Sequence, residues 1–287
     1  HEQMVRVGGA LRRLCTHTSR SATGVHYTLA PNSGGSGAVL ALVHGAPGSA
    51  RDFRHLVAAI ADRGHGDKFR CLSLDLPGHG VTPEDGAADQ ESMARALWSA
   101  IDAAAPDAPV VLLGHSIGGH TVLEAARQRP ALGVALLAPV NLTPHRALMD
   151  ERYFTRVRPL LRLLDHPLLG APIAAFSEFF LKRVLGFPKH VTRREIVHTN
   201  RRVALIDWDG ARATAGALQL PVFLAYALDD ALIQPERSEE LAEVLGRDAA
   251  RDGPRLVYDT GGHNIQKTQA EGLADALAEW IGGLRKS

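Results

Sequence analysis

Apolar positions along this chain follow two alternating patterns. In Ala38–His44, Phe69–Asp75, Val110–His115 and Ala131–Ala138 nearly every residue is apolar. Between them lie longer stretches, Ala50–Asp62, Asp89–Ala104 and Ile117–Gln128, whose apolar residues recur three and four apart. The short runs predict strands buried on both faces, and the longer ones predict amphipathic helices. Strands separated by helices imply a parallel sheet covered on both sides. Two further strands, Gly9–His17 and Val25–Pro31, are predicted ahead of this series, and Asn32–Gly37 (NSGGSG) is predicted as a turn.

The alternation stops at Asn141. From there to about Arg212 the chain holds several prolines, many leucines and no convincing strand. A strand then follows at Pro221–Tyr226 and a helix at Pro235–Leu245, with Pro235 in the first turn, Glu236, Glu239 and Glu240 near the positive end, and Gly246 at the stop. Arg255–Tyr258 reads as a last strand and Ile265–Ile281 as a last helix. The organisation expected is therefore a core over 1–140, a helical insertion over 141–212 and a second part of the core over 213–287. An insertion flanked by strands of one sheet is a cap or lid by position.

Bulk properties narrow the function classes. With 287 residues, 45% of them hydrophobic and 22% charged, the chain suits one large core carrying an insertion. A net charge of +1 creates no global field for nucleic acid or a membrane surface. No apolar run is long enough for an integral membrane segment. The first residues lack a signal-peptide core, and a cytoplasmic location is expected. No acidic residue occurs from Met4 to Arg51, a bias also found in transit peptides. Cys15 and Cys71 form no C-x-x-C pair and read as buried thiols. The charge is uneven, because 141–212 holds 13 Lys or Arg against 7 Asp or Glu, giving +6 there and −5 elsewhere. Such a basic cap is either a solvated face or a guide for anionic substrates.

The chemistry starts at Gly114-His115-Ser116-Ile117-Gly118, a G-x-S-x-G that follows an apolar strand and opens a helix. That context is what a nucleophile elbow requires, with glycines where the backbone turns tightly. A serine hydroxyl needs a base to take its proton. Among 14 histidines, His263 stands out because it follows Gly261-Gly262, between the last strand and the last helix. A loop at that carboxyl edge can reach Ser116. An acid must orient the imidazole, and both Asp229 and Asp230 follow the strand VFLAYAL. Two amides must bind the oxyanion: Ile117, after the nucleophile, and Ala46 in His44–Gly48, since Pro47 has no N–H.

Together these residues resemble the α/β-hydrolase superfamily over essentially the whole chain. HGAPG (His44–Gly48) is similar to its oxyanion loop, LDLPGHG (Leu74–Gly80) to its D-x-P-G-x-G segment, GHSIGG to its elbow, LDDALI to its acid turn and GGHN to its histidine loop. The resemblance implies a mostly parallel, doubly wound sheet with a helical cap. It favours Asp230 as the acid, because the apolar pair Leu232-Ile233 follows it as in that superfamily, and makes Asp229 a loop carboxylate. Gln234 stands where many members carry proline, with Pro235 next. HGAPGSARDF and GGHNIQKT resemble one branch of the superfamily and imply no particular substrate. Branches with an aspartate nucleophile are disfavoured by Ser116.

The function expected is a serine hydrolase that cleaves an ester, thioester or related acyl bond through an acyl-serine intermediate. It would use Ser116, His263 and Asp230, the amides of Ala46 and Ile117, and no metal or organic cofactor. Its partner is a small-molecule acyl substrate. Apolar residues of the insertion, Phe176, Phe179 and Phe180 among them, either line an acyl pocket, pack the cap or form a dimer face. Peptidase and acyltransferase readings use the same residues, and a non-catalytic ligand-binding protein on this fold is the alternative from another class. Nucleic-acid binding lacks aromatic platforms, with only Tyr153 and Trp208 near the arginines. The oligomeric state stays open.

Overall fold

Side chains of successive residues on a strand point to opposite faces, and the strand Ala38–Val43 uses both. Val39, Ala41 and Val43 join one apolar cluster with Met93, Leu97 and Val122. Ala38, Leu40 and Leu42 join another with Leu56, Ile60, Leu273 and Leu277. Val110 and Leu112 divide from Val111 and Leu113 in the same way. This is why the central strands read as unbroken apolar runs. Each fully buried Val or Leu stabilises the fold by about 1.5–3 kcal/mol.

The structure is a computed structural model that describes residues 3–7, 10–14, 17–30, 37–84, 86, 88–148, 151–184, 189, 191–246 and 252–284. In chain order the strands are β1 (Gln3–Val7), β2 (Ala10–Leu14), β3 (His17–Arg20), β4 (His26–Leu29), β5 (Ala38–Val43), β6 (Phe69–Leu74), β7 (Val110–His115), β8 (Gly133–Leu137), β9 (Val222–Ala227) and β10 (Asp252–Tyr258). The helices are α1 (Arg54–Asp62), α2 (Gln90–Ala104), α3 (Gly118–Gln128), α4 (Glu151–Leu161), α5 (Gly170–Arg183), α6 (Arg193–Ala204), α7 (Trp208–Ala217), α8 (Pro235–Val244), α9 (Ile265–Thr268) and α10 (Ala270–Leu284).

Eight strands form one sheet in the order β10-β9-β8-β7-β5-β6-β4-β3. It is parallel from β10 to β6, and β4 and β3 extend it with antiparallel pairs. Helices α2 and α3 cover one face, and α1 and α10 the other. All parallel strands end on one edge, so the loops after β5, β7, β9 and β10 gather there.

Three expectations need correction. The run Gly9–His17 does not form one strand: its described part, β2, pairs with β1 in a separate hairpin, and His17 begins the edge strand β3. The last helix is two helices, because Gln269 leaves helical geometry at φ −118 and ψ 26 and its side chain donates to Thr260 O at 2.7 Å. Strands β9 and β10 extend one and three residues beyond the predicted limits. Most of the Asn32–Gly37 turn and Cys15 lie outside the described residues. Cys71 is a free, buried thiol on β6, and burial pushes its pKa up to about 12. No helix among the described residues is long and apolar enough to cross a membrane.

Between β8 and β9 the chain forms α4, α5, α6 and α7. Helix α6 starts with a capping box: Thr192 Oγ1 accepts from Glu195 N at 3.2 Å, and Glu195 Oε2 accepts from Thr192 N at 2.8 Å. Its far end is tied to the core, where Arg202 Nη2 donates to Thr121 Oγ1 on α3 at 3.1 Å. Arg158 of α4 donates to Ala204 O at 2.8 Å and Ile206 O at 2.9 Å, satisfying carbonyls at the end of α6. Helix α7 runs across residue 212, and its Ala215 packs in the core cluster.

Candidate active site

The elbow is built by close approach. A Cβ on Gly114 would lie 2.4 Å from Gly118 O, and one on Gly118 would lie 2.5 Å from Val43 O. Only glycine lets β7, α3 and the end of β5 meet so tightly. Ser116 between them has φ +54, a left-handed conformation that costs a non-glycine residue roughly 1–2 kcal/mol. Its backbone is held on three sides: N–H to Leu137 O at 3.1 Å, and O to the amides of Gly119 at 2.9 Å and Val140 at 3.0 Å. Strain retained by such over-determined bonding is typical of a functional position.

Ser116 and His263 line one cavity of about 520 Å³, and so do Ala46 and Ile117. Asp230 stands behind His263. His263 Nδ1–H donates to Asp230 Oδ2 at 2.8 Å, and Asp230 Oδ1 accepts from the amides of Leu232 at 2.8 Å and Ile233 at 3.0 Å. Burial alone pushes the Asp230 carboxyl up. The hydrogen bond and charge of His263 and the two amides outweigh burial and hold the carboxyl below its ordinary value. Asp229 is exposed and accepts instead from Gly262 N at 2.7 Å, tying the acid turn to the histidine loop. The structure thus brings together Asp230, not Asp229, with the imidazole.

The amides expected to bind an oxyanion lie in two adjacent loops. Val43 pairs with Gly114 in register, so the His44–Gly48 loop leaves the sheet beside the elbow. Gly45 faces Ser116 so closely that a Cβ there would sit 2.9 Å from Ser116 Cβ. Among the described residues the amides of Ala46 and Ile117 have no carbonyl partner. Buried His44 fixes this loop: its Nδ1–H donates to Gly45 O at 2.5 Å and its Nε2 accepts from Leu76 N at 3.0 Å. Burial lowers its pKa, so the ring is neutral with a defined tautomer. Asp75 completes the support, accepting from Ala50 N at 2.7 Å and Val81 N at 2.9 Å.

Several contributors had no signal in the sequence. His115 Nε2–H donates to His263 O at 2.8 Å, and burial pulls its pKa down to about 3, so a neutral ring braces the histidine loop. His145 holds the acid turn through Leu232 O at 3.1 Å. Beneath the cap, Arg202 is fully buried, and its Nε and Nη1 have no partner among the described residues. It lies among His44, His79, His120 and His198, all with pKa values lowered first by burial and further by its charge. Helical spacing around Arg202 would have marked it only as one more basic residue.

The cavity wall is mostly apolar on the cap side, with Phe154, Leu161, Ile173 and Phe180 among its residues. On the core side Lys267 Nζ pairs with Asp52 at 2.9 Å. The chamber is therefore apolar at its cap end and polar where Ser116, His263 and Asp52 line it.

The chain spans only part of the first relatives it matches: it is 38% identical to mouse protein phosphatase methylesterase 1 over 136 residues, 44% of this chain and 34% of that protein. Over 268 residues, 87% of this chain and 95% of the relative, it is 28% identical to a pimeloyl-[acyl-carrier protein] methyl ester esterase of Stenotrophomonas maltophilia. The solved haloalkane dehalogenase DbeA of Bradyrhizobium elkani shares the fold, with a TM-score of 0.70 at 19% identity, covering 95% of this chain and 99% of that one. The family model described as the alpha/beta hydrolase family matches residues 40–276. The chain belongs to the alpha/beta hydrolase family.

Proposed function

We propose that the protein is a serine esterase that cleaves carboxylic or thioesters of apolar acyl chains. Ser116 Oγ attacks the acyl carbonyl while His263 Nε2 takes its proton. The C–O or C–S bond then breaks, and the imidazolium returns the proton to the leaving alcohol or thiol. Water, deprotonated by the same ring, attacks the acyl-serine and releases the acid. Asp230 holds the Nδ1–H tautomer and stabilises the imidazolium. The Ala46 and Ile117 amides stabilise the oxyanion, each contributing about 2.7–4 kcal/mol.

The observation that carries this reading is the 2.8 Å hydrogen bond from His263 to Asp230, with His263 and the strained Ser116 on one cavity. Two relatives named as methyl ester esterases support an ester bond and a small leaving alcohol. The test is labelling with a fluorophosphonate probe alongside a screen of methyl and p-nitrophenyl esters. Wild type is expected to be labelled and Ser116→Ala to be unlabelled and inactive. A wild type that resists the probe and turns over no ester would instead fit a ligand-binding protein.

A further inference from the structure

Seven of the eleven large apolar side chains exposed among the described residues fall between Leu160 and Val184. Leu160 and Leu163 lie around the end of α4, and Leu168 and Leu169 in the turn before α5. Phe176 and Phe179 follow on α5. Leu168 is 79% exposed and the two phenylalanines 61% each. On α5 the spacing of 176, 179 and 183 puts Phe176, Phe179 and Arg183 on one outward face. Seven exposed large apolar side chains within 25 residues of chain mark an interaction site.

Its charge indicates the partner. The segment 156–184 holds five Arg or Lys and two acids. Both acids are already bound, Asp165 by Arg201 and Glu178 by Lys182 at 2.9 Å and Arg193 at 2.6 Å. Arg156, Arg162 and Arg183 are exposed in the same segment as these leucines and phenylalanines. A second copy of the chain would bring like charges together, whereas an anionic lipid surface offers acyl chains and phosphates to the same patch.

We infer that this face of the cap docks on an anionic membrane surface and opens the acyl cavity toward it. Leu160 and Phe176 are both exposed on the patch and part of the cavity wall, so the two surfaces are continuous. Docking stands on the patch alone, while delivery of a lipid ester to Ser116 rests on the proposed esterase.

Sedimentation of the purified full chain with vesicles tests this, using phosphatidylcholine alone or phosphatidylcholine and phosphatidylglycerol in equal parts. The expected result is binding to the anionic vesicles at least about ten-fold tighter than to the neutral ones, weakening as salt is raised. Leu168→Ser/Phe179→Ser, at positions away from the cavity wall, should weaken it about ten-fold or more. Arg156→Ser/Arg162→Ser/Arg183→Ser should abolish the preference for anionic lipid. Both variants should keep wild-type hydrolysis of a short water-soluble ester. Failure to sediment with either vesicle, or unchanged binding by the Leu168/Phe179 variant, would overturn the inference. So would a dimer that this variant dissociates, because a second copy would then cover the face. A chain that binds vesicles but hydrolyses no ester would leave the docking intact and remove the esterase; the reverse result would do the opposite.

Discussion

At the scale of single residues, two adjacent aspartates take different partners. Asp230 is 3% exposed and holds the imidazole, whereas Asp229 holds a backbone amide from an exposed position. Asp230→Asn should therefore lower kcat by about four orders of magnitude, while Asp229→Asn should stay within about ten-fold of wild type. Steady-state kinetics on one ester checks both. The carboxyl of Asp230 is held below its ordinary value, so its contribution to stability is present above the unfolded-state pKa of about 3.9 and is lost as pH falls through the lower folded value. Urea unfolding at neutral pH and near pH 3 should show the gap between wild type and Asp230→Asn closing at the acid end. Arg202 gives the opposite case. A buried guanidinium with two nitrogens unpartnered among the described residues is destabilising, so Arg202→Met should leave the unfolding free energy unchanged or raise it, by up to about 4 kcal/mol. A loss beyond about 2 kcal/mol would mean that the charge has a partner which the protein atoms do not supply.

At the scale of elements, glycines decide how closely loops and helices approach. Gly78 has φ +77, and a Cβ there would lie 2.4 Å from the His198 ring on α6. Gly64 has φ +74 with nothing within 4 Å of the added atom. Gly64→Ala should cost only the left-handed strain, about 1–2 kcal/mol. Gly78→Ala should cost about 1–3 kcal/mol more, because α6 must also move. Urea denaturation of the two variants measures the difference. The same logic explains what could be read in advance. The elbow glycines lie two residues either side of Ser116 and announce themselves locally. The break at Gln269 depends on where its side chain finds Thr260 O, a contact between loops that helical periodicity does not encode.

At the scale of the whole molecule, the sheet edge and the helices α4 to α6 enclose a chamber of about 520 Å³. On the proposed esterase reading, its apolar wall should make longer acyl chains better substrates, since each buried methylene is worth up to about 0.8 kcal/mol. Octanoyl p-nitrophenyl ester should exceed the acetyl ester in kcat/KM by about ten-fold or more. Equal values would mean that the acyl chain does not enter the chamber.

The order of the central strands and helices and the parallel sheet were determined by the sequence alone, which also singled out Ser116, His263 and the His44–Gly48 loop as candidates. Each rests on residues adjacent in the chain or on one period of side-chain direction. Tertiary structure placed Asp230 against the imidazole and Asp229 against the Gly262 amide, because neighbours in a turn face different ways only once the loop around them is folded. It also brought Arg202 against α3 and left leucines, phenylalanines and arginines of the segment 156–184 exposed. Those features depend on how separate helices approach one another, and no local pattern records that distance.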